Sequence, residues 1–289
     1  MSTQDFKQHE SSYFGGSGHR WFTIVKYSTY LLLMVNAGLF LQEELRALEH
    51  TYADGVSAGQ WIQVFSATVD TVAWIVLLLL FELETSIISD ERITGWVKFT
   101  LHWVRILCYG FIAYAFYGYC QELAVFFTVV PLPMNDLCAL VGQDWSVLLK
   151  FDEYAVITSE NCSAYGDNLF RFGELDIAGN GTAFNSALWL AWTDVINAGT
   201  WILVVLLLEV EVRLQLRGNL SDRIMAYTKV LKFALYGTLF LCAGYWGVAG
   251  NFLDFWDAAL WLFAFIFIEL NVFEWQHETS TASEPAAIV

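Results

Sequence analysis

The sequence predicts an all-α integral membrane protein: about six transmembrane helices as three pseudo-repeated helical hairpins, with a small extracytoplasmic cap between spans three and four. Three observations carry that prediction. Hydrophobic residues make up 57% of the 289 residues and charged residues only 15%, where a soluble domain carries about a quarter charged. The apolar residues also gather in runs of about twenty, enough to cross roughly 30 Å of hydrocarbon. Finally, polar and aromatic landmarks recur at one fixed spacing in three of those runs.

The runs place spans at 21–41, 61–81, 99–120, 184–208, 227–248 and 255–273. Residues 1–20 form a polar N-terminal tail without a small-residue cleavage site, so the first span is expected to stay as its own insertion signal. Spans one to three fill 21–130, the cap 131–183, spans four to six 184–275, and residues 276–289 form a second polar tail. All three prolines (Pro131, Pro133, Pro285) lie outside the spans, so no proline-broken helix is signalled.

Orientation follows from the bases. With the N-terminus inside, one face holds Lys7, Arg20, Lys26, Arg92, Lys98, Arg105, Arg213, Arg217, Arg223, Lys229 and Lys232. The other keeps only Arg46, Lys150 and Arg171. Both tails are therefore expected in the cytoplasm and the chain in the cell membrane, the inner membrane if bacterial. The net charge of −16 excludes a nucleic-acid partner.

The connection 131–182 carries eight acids against Lys150 and Arg171, with enough apolar residues to fold into a cap. Cys138 and Cys162 both fall there, on the oxidising side, and are expected to form a disulfide. Cys108, Cys120 and Cys242 lie in or near spans and read as packing residues.

The repeat reads Asp70-x3-Trp74-x7-Glu82-x-Glu84 in the second span, Asn197-x3-Trp201-x7-Glu209-x-Glu211 in the fourth, and Asp257-x3-Trp261-x7-Glu269-x-Asn271 in the sixth. The odd spans share a looser pattern, a base one turn before a tyrosine: Lys26 and Tyr30, Arg105 and Tyr109, Lys232 and Tyr236. Three hairpins around a pseudo-threefold axis are the simplest architecture that accounts for both.

The charged landmarks form two sets. Glu82, Glu84, Glu209, Glu211 and Glu269 sit near helix C-termini, and Lys26, Lys98, Arg105, Lys229 and Lys232 near helix N-termini. The helix dipole disfavours each charge where it stands, and pairing the two sets compensates both. Such pairs serve either as structural locks or as an inner gate. Asp70, Asp194 and Asp257 have no base at comparable depth, and a carboxylate inside a bilayer costs a few kcal/mol unless it is protonated, hydrogen-bonded or bound to a cation.

Other chemistry is thinly supplied. The five histidines are scattered, and no CxxC, HExxH, GxSxG or phosphate-loop pattern occurs, so no catalytic residue, metal ligand or cofactor is assigned and an enzyme is not expected. Two readings stand. One is a small proton or cation transporter or channel, with Asp70, Asp194, Asn197 and Asp257 as its intramembrane site. The other is a non-transporting scaffold, accessory subunit or sensor that binds a partner, a second copy or a membrane complex, through its acidic outer loop. The first requires Asp70 to line a polar cavity; the second expects a dry axis.

Overall fold

The computed structural model describes residues 16–51, 56, 60–84, 94–166, 168–216 and 222–266. Glu269, Asn271 and both polar tails (1–15, 276–289) lie outside the described residues. The helices are α1 (Gly16–Thr51), α2 (Trp61–Val64), α3 (Ser66–Glu82), α4 (Gly95–Val125), α5 (Gly181–Leu216), α6 (Asp222–Ala249) and α7 (252–266). Among the described residues four stretches are long and apolar enough to cross a membrane: Thr23–Thr51, Gly95–Val125, Gly181–Glu211 and Arg223–Ala249.

Several helices outrun the expected spans. At 1.5 Å per residue, the 36 residues of α1 and of α5 reach about 54 Å, well beyond about 30 Å of hydrocarbon. Their extra turns carry the cap. The second run, by contrast, is broken at Phe65, whose φ of −121° and ψ of 33° leave the helical region and divide α2 from α3. Two other helix ends are held by local hydrogen bonds. Asn180 Oδ1 accepts from the Ala183 N–H at 2.9 Å and caps the start of α5. Gly250 at φ +80°, with the Asn251 N–H donating to the Trp246 carbonyl at 2.9 Å, ends α6 in a Schellman turn and lets α7 begin two residues later.

The cap corrects the all-α expectation, because it contains a five-stranded sheet. The strands are β1 (Val130–Leu132), β2 (Ser146–Lys150), β3 (Glu153–Val156), β4 (Leu169–Arg171) and β5 (Ile177–Asn180), in the order β1-β4-β5-β2-β3. Only β2 and β5 run parallel, pairing Ser146 with Ile177 and Val147 with Ala178. The residues explain it: β2 and β3 carry Val, Leu and Tyr, which favour strands, while Asp152 (φ 60°) makes the left-handed turn between them. At Gly179 a side chain would bring a Cβ within 2.7 Å of the Phe172 ring, so only glycine lets β5 approach it. The expected Cys138–Cys162 disulfide is present and packs among Leu137, Val147, Leu169 and Ala178.

One apolar core draws on every long helix: Leu33 (α1), Trp74 and Leu78 (α3), Ile112 (α4), Trp201 and Val204 (α5), Leu239 (α6), and Trp261 and Ala264 (α7). A second joins the cap to the bundle, with Leu148, Phe172 and Ile177 against Leu123, Phe126 and Ala187. Outward the helices show bare hydrocarbon: Phe233, Leu241 and Val248 are 83%, 77% and 90% exposed. Apolar surface on that scale is compatible with a membrane protein.

Candidate functional site

Between the bundle and the cap lies a chamber of about 190 Å³, room for about six waters at liquid density. Carboxylates reach it from almost every side. Glu43 and Glu44 come from α1, Asp70 from α3, Glu122 from α4, Asp194 from α5, Asp254 and Asp257 from α7, and Asp152 from the β2–β3 turn of the cap. Among the described residues no Lys, Arg or His lines it. Seven of the eight acidic residues are half-buried and Asp152 is exposed.

The break at Phe65 organises the chamber's cap-side end. It leaves the first N–H groups of α3 without helical partners, and Glu44 supplies them: its Oε1 accepts from Ala67 N at 2.8 Å and Thr68 N at 3.2 Å, and its Oε2 from the Thr68 hydroxyl. A carboxylate is favoured at that positive helix end. Ser66 donates its hydroxyl to Glu122. Asp152 stands above them, and burial, with the Glu43 charge adding to it, pushes its carboxyl up to about 7.

One turn deeper lies the floor. Asp70 has the Trp74 indole and Tyr119 phenol as its donors. Asp257 accepts at 3.0 Å from the amide of Asn36, itself 1% exposed. Asn197 lines the same level, at the position that Asp70 and Asp257 hold in the repeat. Beneath them the repeat's tryptophans meet: Trp74 lies 6.5 Å from Trp201 and 6.4 Å from Trp261, and Phe265 closes on Trp201 at 4.5 Å. Two chamber-lining atoms, Asn197 Oδ1 and Trp246 Nε1, are buried and make no hydrogen bond. No three His, Cys, Asp or Glu side chains among the described residues converge closely enough to hold a metal ion.

Across the aromatic layer, at the far end, the second charged set pairs off. Lys26 meets Glu82 at 2.8 Å, and Tyr27 and Tyr30 donate to the same carboxylate at 3.1 and 3.4 Å. Arg105 meets Glu84 at 2.5 Å, Lys232 meets Glu211 at 2.6 Å, and Glu209 takes Arg213 within α5 at 2.8 Å. Lys98 and Lys229 are exposed there.

The structure thus gathers Asp70, Asp194, Asn197 and Asp257 into one cavity. Sequence reading missed Glu43, Glu44, Glu122, Asp254 and Asp152. The available signal was that each helix-borne one follows or precedes an apolar run by three residues or fewer. Comparison with family models, with curated proteins and with solved structures gave no match.

Proposed function

We propose that this chain is a six-span membrane protein that binds and moves a proton or another cation through the acidic chamber. The observation that carries it is eight carboxylates and no base around one cavity. Eight carboxylates around one partly buried cavity are tolerated only when protons or bound cations neutralise most of their charge. Asp70 lining a polar cavity is what the transport reading requires.

The topology rests on several supports. Four helices meet the length and apolarity of a span. The run 61–81 and the run that begins with α7 supply two more, each 19 residues or longer in the sequence. The excess of bases at the end opposite the cap supports a cytoplasmic location for that end and for both termini, and a disulfide in the cap agrees with an oxidising exterior.

The threefold repeat gains support from its contacts. Trp74, Trp201 and Trp261 meet at one level, and Glu84–Arg105 and Glu211–Lys232 are equivalent pairs, each joining an even-numbered span to the next odd-numbered one. In the third repeat an amide, Asn271, stands at the position of Glu84 and Glu211, and Lys26 pairs with Glu82. The aromatic layer is then the plug, and the ion pairs the inner lock.

Flux in proteoliposomes tests this. Proton and alkali-cation flux is expected from the native protein and loss of most of it in Asp70→Asn. Equal flux in both, or none in either, rejects the transport reading. The plug favours one second reading, a sensor that binds its cation from the cap side without passing it. Binding without flux identifies that case.

A further inference from the structure

We infer that the occupant of the chamber is a small linear diamine, an organic cation with an ammonium at each end, and not a bare metal ion. This rests on the reading of the chamber as a cation site and names the class of cation. The acids are spread and do not converge, so among the described residues a metal ion finds no coordination shell. The walls are largely indole and phenyl: Trp74, Trp201, Trp246, Trp261 and Phe126 line the chamber. Aromatic faces attract ammonium groups and alkyl chains and offer little to a hydrated metal.

The acceptors also stand at two levels. Glu122 and Glu44 engage α3 at Ser66 and Thr68, while Asp70 lies two to four residues further along, about 3–6 Å deeper. A four-carbon diamine, with bonds of about 1.5 Å, sets its nitrogens about 6 Å apart, which fits the upper part of that range.

The floor supplies an independent sign. An ammonium carries three N–H donors, and the repeat presents three acceptors there, Asp70, Asn197 and Asp257, above three tryptophans. Asn197 lines the chamber, and its Oδ1 makes no hydrogen bond to another protein group. Trp246, 4% exposed, stands beside Asp194, the carboxylate available to the second nitrogen.

Binding to the purified full chain in detergent tests the inference, read by tryptophan fluorescence and by thermal stabilisation. The probes are 1,4-diaminobutane, n-butylamine, 1,4-butanediol, potassium and calcium. The diamine is expected to quench and stabilise, the monoamine to bind at least about tenfold more weakly, and the diol not to bind. Asn197→Leu and Asp70→Asn are each expected to weaken the diamine by about tenfold or more, and Asn197→Asp, which keeps the acceptor, to retain it. Stabilisation by metal ions alone, or no ligand response beside a proton flux sensitive to Asp70→Asn, overturns the diamine and leaves the cation reading standing. Diamine binding without any flux upholds the diamine and removes transport.

Discussion

The Lys232 ammonium lies 2.6 Å from Glu211 and ties α6 to α5 at the end of the bundle away from the cap. The side chains are 19% and 9% exposed, so little water screens the pair. Removing one partner of a buried pair costs about 3 kcal/mol. Glu211→Gln is therefore expected to lower thermal stability in detergent markedly. Glu209→Gln, which breaks a pair exposed by 48% and 68%, should change stability by no more than about 0.5 kcal/mol. Equal losses in the two variants would show that burial does not govern these contacts.

Glu44 is expected to matter for folding as well as for the chamber. Its carboxylate serves two backbone N–H groups and one hydroxyl at the start of α3. Glu44→Ala leaves them without a partner and should cost about 1–2 kcal/mol, as loss of a helix cap does. Glu44→Gln keeps one acceptor oxygen and should cost less. Thermal unfolding of both variants in one detergent checks the order, and a harmless alanine would refute the capping role.

Asp152 gives the protein a pH dependence of definite sign. Its folded-state pKa of about 7 stands above the ordinary 3.8, so between those values the folded chain holds a proton that the unfolded chain has lost. The stability from this group is complete below 3.8 and disappears as the pH rises through about 7. Melting temperatures taken at about pH 5 and about pH 8 should therefore fall less in Asp152→Asn than in the native protein. Identical falls would mean that Asp152 meets water freely in the folded state.

Helix placement was legible because apolar runs of span length have few alternative fates, and each of the six expected spans coincides with helix over its described part, save for the break at Phe65. The cysteine pair was legible from its shared segment. The cap's sheet was not: its strands are three to five residues long, too short for alternation to register, and the β2–β5 pairing joins residues 31 apart. Half of the chamber escaped for a different reason. Counting apolar residues ends a span at its first acid, so Glu43, Glu44 and Glu122 fell outside spans that in fact continue as helix. Asp152 reaches the chamber by a fold-back that no local pattern encodes.

The β2–β3 turn has one more consequence. Phe151 packs against Leu190, Trp246 and Ala258 on one side and Phe126 on the other, while its neighbour Asp152 completes the acidic wall. The sheet is thus a stopper whose tip is also part of the vessel. The bundle cannot be trimmed to its helices and keep the same interior, and any tilt of the stopper alters the mouth and the charge of the space below it in a single motion.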